Sequence, residues 1–236
     1  MDFKEWLYNE KYEKEELTPV QKANRQRKKN RGVFNLAKNV SRLKSKVSKD
    51  LSSSDEETRL TAAAVKTMLD TSERVGNKAS AKKGHHGVTG LQNKHFKKKS
   101  GKVKLQYIGK SGMKQDKEIS DKKVIKAMNP TGNGGLFTTK EGKDITNTMV
   151  NDYIREFGIT SKDIRGYNAN KFMAQRLSRI KLRDEKERKK KFLEILDEVA
   201  AKVGHTPSML RNSYLHPNME DDFVKHGRVK KLTLPK

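Results

Sequence analysis

The stretch VGHTPSMLRNSYLHP, Val203 to Pro217, decides how the rest of the chain is read. Thr206 is a good helix N-cap, and Pro207 suits the first helical position, where its missing N–H is one the helix does not use. A short helix therefore starts just after a Gly-His pair and stops before Pro217. It carries a lone tyrosine, Tyr214, at its far end. His205 and Tyr214 are nine residues apart, a spacing that puts them at opposite ends of such a helix. Taken alone, a tyrosine late in a helix is ordinarily a core residue with its hydroxyl at the surface. A histidine after glycine ordinarily caps or packs. The surrounding sequence has to decide.

The chain has 236 residues, 54 Lys plus Arg against 29 Asp plus Glu, a formal net charge of +25 and a pI near 10.0. Such an excess repels itself unless a polyanion shares the surface, so nucleic acid is the expected partner. An anionic membrane is the rival, weakened because no apolar run approaches the roughly 20 residues needed to span a bilayer and no signal-peptide core follows Met1. There is no cysteine, which excludes thiolate chemistry, Cys-ligated zinc and disulfides. The composition points to a soluble, basic, intracellular protein.

Residues 1–50 read as a basic N-terminal arm, partly flexible, and 51–236 as one further domain. MDFKEWLYNEKYEKEEL, residues 1–17, has the aromatics for one short amphipathic helix. Gln21 to Asp50 then carries eleven basic residues and one acid. Within it Val33, Leu36, Val40, Leu43 and Val47 recur at steps of three and four, the pattern of a helix with one apolar face. Arg25, Arg27, Lys28, Lys29 and Arg31 are its candidate DNA contacts, through phosphates rather than bases. Downstream, Ser54 to Glu57 (SDEE) fits a capping box opening a helix striped by Leu60, Ala63, Ala64, Met68 and Leu69. Gly76 and Asn77 signal its stop. Val103, Leu105 and Tyr107 alternate in the first arm of a β-hairpin whose GKSG turn puts Lys110 at the tip. From Thr146 the chain is helical. Met149, Val150, Tyr153, Ile154 and Phe157 share one face, closed by Gly158. Thr160 to Asp163 (TSKD) is a second capping box, opening a helix with Arg165, Tyr167 and Phe172. A long helix from about Lys181 to Gly204 is basic at first and apolar along Phe192, Leu196, Val199 and Val203.

Four stretches line up in order: ERVGN with Arg74, YIGKSG with Lys110, KDIRGY with Arg165, and GHTPSMLRNSY with His205 and Tyr214. Together with TAAAVKTMLDTSERVGN and GVTGLQNKH, they resemble the type IB DNA topoisomerases, in particular the poxviral and bacterial branch, from about Asn30 to Gly227. The resemblance implies a mainly α-helical catalytic domain of the topoisomerase IB and tyrosine recombinase type, with a small β-hairpin or three-stranded element. It implies that Tyr214 attacks a DNA phosphodiester and that Arg74, Arg165 and His205 hold the nonbridging oxygens. Lys110 would protonate the departing 5′ oxygen. The expected activity is relaxation of supercoiled DNA through a 3′-phosphotyrosyl link, strand swivelling and religation, by a monomer without ATP, metal or other cofactor.

Elementary chemistry supports each role. Charge gathers on the equatorial oxygens during attack, and an arginine meets it with a fixed fork of donors. A tyrosyl ester keeps the energy of the broken bond, and an alkoxide leaving group calls for an acid.

Tyrosine recombinases, which exchange strands between duplexes, are the runner-up. They typically carry His-x-x-Arg at the second arginine, whereas this chain has KDIR with Lys162, the topoisomerase pattern; Lys162 joins the candidate DNA contacts. The family's members usually carry an N-terminal β-rich clamp domain, and the first 50 residues here show no strand alternation. The other motifs carry less. TGNGGLF, residues 131–137, lacks the ending of a phosphate loop and reads as a flexible connection. His85 and His86 have no third ligand spaced with them and read as a polar loop. Glu220, Asp221 and Asp222 read as a helix start.

Overall fold

The computed structural model describes residues 18–99, 101–128 and 134–229. The short helix expected within residues 1–17 lies outside them. Nine α-helices and a three-stranded antiparallel sheet make up the described residues.

Helix α1, Pro19–Asp50, begins on Thr18, whose Oγ1 accepts from Gln21 N. The apolar stripe read from the sequence is its inner face: Val33, Leu36, Leu43 and Val47 are buried and Val40 is partly so. They pack on α2, Glu56–Thr71, and α6, Ser161–Leu177. The division drawn at residue 50 is therefore not a boundary in the packing. Leu36, Leu43, Val47 and Leu51 share one core with α2 and the sheet, and only the part of α1 before Val33 runs along the surface.

Helix α2 is capped by Asp55, whose Oδ2 accepts from Thr58 N at 2.8 Å, not by Ser54. It also stops earlier than Gly76. Ser72 closes it in the left-handed conformation (φ 63°), and is the one non-glycine residue with positive φ among those described. Such a conformation costs a non-glycine side chain roughly 1–3 kcal/mol and persists where surrounding contacts dictate it. Here Ser72 Oγ accepts from Asn168 Nδ2 at 3.0 Å, and its carbonyl accepts from Arg165 Nε at 2.6 Å. Tertiary hydrogen bonds, absent from any local signal, end the helix.

After α3, Lys78–Lys82, come β1 (Phe96–Lys99), β2 (Lys102–Ile108) and β3 (Lys114–Ile119) in the order β1-β2-β3. Val103, Leu105 and Tyr107 alternate inward as the sequence predicts. Helix α4 (Lys122–Ala127) packs on α2. The tail of the TGNGGLF stretch is anchored rather than free: Leu136 N donates to Leu91 O at 2.8 Å, and Leu136 and Phe137 are buried. Residues 131–133 of that stretch lie outside the described residues.

Helices α5 (Asn147–Arg155), α7 (Glu185–Val203), α8 (Pro207–Ser213) and α9 (Met219–His226) complete the fold. Thr206 Oγ1 accepts from Met209 N as expected, Thr160 N donates to Asp163 Oδ2 as its capping box requires, and Thr146 Oγ1 caps α5 by accepting from Met149 N. Glu220, Asp221 and Asp222 occupy the first turn of α9, where carboxylates favour the helix dipole. Two clusters of buried side chains form the core. One joins α1, α2, the sheet, α4, α5 and Ile164 at the start of α6; the other joins Ala169, Met173 and Leu177 of α6 to α7, α8 and α9. Helix α6 thus belongs to both, and Arg165 sits on it where they meet.

Candidate active site

Arg74 lies in the extended segment that follows Ser72. Its carbonyl accepts from Val88 N and that of Val75 from Thr89 N, both at 2.8 Å. Gly76 makes this pairing possible. Its φ is 84°, and a Cβ there would stand 2.8 Å from the Gly87 Cα. The Arg74 guanidinium, partly exposed, makes no ion pair among the described residues and faces open space.

Lys110 begins a single 3₁₀ turn, Lys110–Gly112, between β2 and β3. The neck of that turn is tied down on both sides. Gly109 N donates to Met113 O at 2.8 Å, His86 N donates to Ile108 O at 2.8 Å, and His85 donates from Nδ1 to Gly109 O at 3.0 Å. The two histidines read as a polar loop are thus the struts of the Lys110 turn. His95, stacked edge-on against His86 at 4.4 Å, is held at a pKa of about 4 by burial, helped by His86 and Lys94.

Arg165, on the first turns of α6, is 3% exposed. Its Nε donates to Ser72 O at 2.6 Å and its Nη1 to His205 Nε2 at 2.8 Å. Its Nη2 stands 3.6 Å from Glu73 Oε2. Because Nε2 of His205 accepts, that ring is neutral and carries its proton on Nδ1. Burial, then the charges of Arg165, Arg74 and Lys117, hold its pKa at about 3.

Gly204 caps α7 with φ 70°, a left-handed conformation that favours glycine before His205, and its α-carbon packs against the end of the Gln115 side chain. Tyr214 caps the other end of α8, with its N–H on Leu210 O at 3.0 Å. The histidine and tyrosine at opposite ends of α8 nevertheless meet, with ring centroids 4.7 Å apart. A seven-residue helix is only about 10 Å long, short enough for side chains at its two ends to meet.

Arg74, Lys110, Lys162, Arg165 and Tyr214 line one open cleft of about 690 Å³, and His205 lies directly behind Arg165 and Tyr214. A narrower groove on the other side of Tyr214 is lined by Lys162 and by Gln26, Lys29 and Asn30 of α1. Of the arm residues, Lys29 therefore comes next to Tyr214, while Arg27, Lys28 and Arg31 are exposed elsewhere along the helix surface. Arg25 lies on α1, and its side chain is outside the described residues.

Three site residues were not picked out from the sequence. Glu73, 3% exposed, faces Arg165 on one side and Lys117 Nζ at 3.4 Å on the other. Lys117, on β3, also donates to Lys202 O at 2.5 Å, tying the sheet to α7. Asn170 grips the chain around the tyrosine. Its Nδ2 donates to Tyr214 O and its Oδ1 accepts from His216 N, both at 2.8 Å. Alternation could have suggested Lys117, which follows Gln115 on the inward face of β3; nothing local marks the other two.

The family model for the eukaryotic DNA topoisomerase I catalytic core matches residues 18–231. The chain belongs to that family. It is 26% identical to DNA topoisomerase 1B of Acanthamoeba polyphaga mimivirus over 194 residues, an alignment covering 71% of this chain and 58% of the viral protein. The topoisomerase domain described here thus corresponds to little more than half of that relative. Among solved structures it is similar to XerH site-specific recombinase on its difH substrate. The pre-cleavage complex has a TM-score of 0.48 and 15% identity, covering 78% of this chain and 51% of that one. The post-cleavage complex has a TM-score of 0.48 and 14% identity, covering 74% and 47%. Among the described residues no helix is long and apolar enough to cross a membrane.

Proposed function

We propose that this domain relaxes supercoiled DNA by transient cleavage of one strand. Tyr214 attacks the phosphodiester and forms a 3′-phosphotyrosyl link. Arg74, Arg165 and His205 stabilise the charge that develops on the nonbridging oxygens. Lys110, at the exposed hairpin tip, protonates the departing 5′ oxygen; the free end swivels, and its hydroxyl attacks the tyrosyl ester to reseal the strand. The single observation carrying this reading is the convergence of Tyr214, two arginines and a lysine, drawn from four separate segments, on one cleft with His205 behind them.

The geometry supplies what such a step asks of a protein. Four cations and one carboxylate line the cleft, a balance suited to a phosphodiester. The Arg165 contact on His205 has to be exchanged when DNA binds: the imidazole accepts at Nε2 in the free protein, and it can donate to a phosphate oxygen only with a proton on that atom. A phosphate beside the ring favours that proton by opposing the charges of Arg165 and Arg74. Exposed Arg27, Lys28, Arg31 and Lys162, with half-buried Lys29, extend the basic surface for phosphates flanking the cut. Such contacts make affinity steeply salt-dependent, with a log–log slope of about −0.9 per phosphate neutralised.

The test pairs a plasmid-relaxation gel with detection of the protein–DNA adduct. Wild-type protein should relax plasmid without ATP and in the presence of EDTA, and should trap DNA on Tyr214 at a 3′ end. An adduct on another residue, at a 5′ end, or strictly dependent on metal would refute the assignment.

A further inference from the structure

The cleft contains one feature that a phosphate-binding site should avoid. Among the described residues lining it, Glu73 is the only acid. A buried carboxylate beside the intended position of a phosphodiester repels it, and in low dielectric that repulsion is strong. Something must offset the cost, and the contacts of Glu73 say what.

We propose that Glu73 is a positioning residue that fixes the direction of the Arg165 guanidinium. Three observations carry this. The Arg165 Nη2 to Glu73 Oε2 distance, 3.6 Å, is within ion-pair range but beyond a good hydrogen bond. The carboxylate therefore pulls on the guanidinium without consuming its N–H donors. Two other contacts, Nε on Ser72 O and Nη1 on His205 Nε2, complete a three-sided frame. Of the five N–H groups of the fork, those two bonds leave three, on a guanidinium that lines the cleft beside Arg74 and Tyr214. Finally, Lys117 stands on the far side of the carboxylate, 3.4 Å from Oε1, and is itself anchored on Lys202 O. It neutralises Glu73 from behind and keeps it from closing fully onto Arg165, where it would compete with phosphate.

The arrangement also explains why the acid stands immediately before Arg74. The backbone at Glu73 and Arg74 is extended after the αL turn at Ser72, so one residue serves the buried guanidinium and the next faces the cleft.

The inference rests on the proposed cleavage reaction, and the experiment separates the two. Single-turnover cleavage of a short duplex would be measured for wild type, Glu73→Gln, Arg165→Lys and the double variant, with duplex affinity measured alongside. If wild type forms no tyrosyl adduct, the reaction itself is wrong. If it does, Glu73→Gln should cleave about 10- to 100-fold more slowly, the size of effect that misplacing a reactive group produces, with affinity changed less than about twofold. In the Arg165→Lys background, which has no fork to aim, Glu73→Gln should add at most about twofold. That non-additivity is what a residue acting through Arg165 must give and a merely structural one would not.

Glu73→Gln leaves Lys117 without its counter-ion. Should it fail to fold, Glu73→Gln with Lys117→Met removes both buried charges together and is measured in its place, with the same expected loss of rate. Cleavage by Glu73→Gln as fast as or faster than wild type would overturn the proposal, since the carboxylate would then be a source of repulsion only. An equal loss in both Arg165 backgrounds would overturn it as well.

Discussion

In the sheet-bearing half of the molecule, Arg74 and Lys110 ride on irregular backbone held by main-chain hydrogen bonds: 74–75 against 88–89, and 108–109 against the two histidines. In the helical half, His205 and Tyr214 sit at the two ends of α8, fixed by a glycine cap and by the Asn170 clamp. The halves also differ in how their cations are held. Arg74 and Lys110 stand in the open, whereas Arg165, on the helix the two cores share, is buried among partners. The difference separates two tasks. On the proposed reaction, the exposed side chains on the sheet side can adjust to an incoming strand, while those on the helical side are set before it arrives. Glu73, Lys117 and Arg165 join the two.

The largest expected effect comes from the helical half. Tyr214→Phe should abolish the covalent adduct and relaxation altogether, while DNA affinity and thermal stability stay at wild-type levels. Residual adduct in this variant would move the nucleophile elsewhere.

Next in size is the tip of the sheet. Lys110→Ala should slow cleavage of ordinary DNA by about 10²- to 10⁴-fold, the range for a general acid. An alcohol leaving group is about as weak an acid as water, with a pKa of about 15.7, against about 8.5 for a thiol. A duplex with sulfur in place of the bridging 5′ oxygen should therefore be cut by Lys110→Ala at close to the wild-type rate. Equal impairment on both substrates would reduce Lys110 to a DNA grip.

The two arginines sharpen the contrast between an open and a buried cation. Arg74→Ala and Arg165→Ala should each lose about 10²- to 10³-fold in cleavage rate. Arg165→Lys should fall between alanine and wild type, because a lysine restores the charge without the two-pronged contact. Stability should tell them apart. Arg74→Ala should melt within about 0.5 kcal/mol of wild type. Arg165→Ala leaves Glu73 short of a buried partner and should cost about 3–5 kcal/mol in urea unfolding. Matching stabilities would mean that the Glu73 frame carries little energy.

The same contrast governs what could be read in the sequence. The apolar stripes of α1, α5 and α7, the β-hairpin and the helix starts at Thr160 and Thr206 were legible because each is a local pattern of period or punctuation. The five residues lining up as Arg74, Lys110, Arg165, His205 and Tyr214 were legible through their order along the chain. What escaped depends on distant partners. The end of α2 is set at Ser72 by Arg165 and Asn168, almost a hundred residues on in the chain. Glu73 reads as an ordinary surface acid until Lys117 and Arg165 are brought to it. Arg188 lies in what reads as the solvated basic start of α7, yet it is buried with Nε on Val224 O and Nη1 on Arg183 O, joining α7 to α9. Strand β1, FKKK, lacks apolar alternation and is defined only by its pairing with β2.

A smaller effect should follow from loosening the clamp around Tyr214. Asn170→Ala leaves the Tyr214 carbonyl and the His216 N–H without this partner, and also removes the bond from Nδ2 to the Gly166 carbonyl within α6. Each group left unsatisfied costs about 1–3 kcal/mol. The expected outcome is a loss of about 10-fold in cleavage with the adduct still formed on Tyr214. Wild-type rates would show that α8 holds its end unaided.

The smallest effect is on stability against pH, and it has one source in each half. His205 has a pKa of about 3 and His95 of about 4, both depressed first by burial. In the unfolded chain each returns to about 6.5. Below that value the unfolded state takes up a proton that the native state refuses, so the free energy of unfolding falls as the pH falls. The contribution is fully present above about pH 7. It is lost between 6.5 and 3 for His205 and between 6.5 and 4 for His95, at up to about 1.4 kcal/mol per pH unit for each group. Urea unfolding at pH 7.5, 6 and 5 should give a declining midpoint for wild type and shallower declines for His205→Gln and His95→Gln. A short duplex should flatten the His205 share alone, because a phosphate opposes Arg165 and Arg74, while His95 is depressed by burial, His86 and Lys94. If His205→Gln declines as steeply as wild type, the imidazole is already open to water in the free protein, and the helical half is no more prebuilt than the sheet.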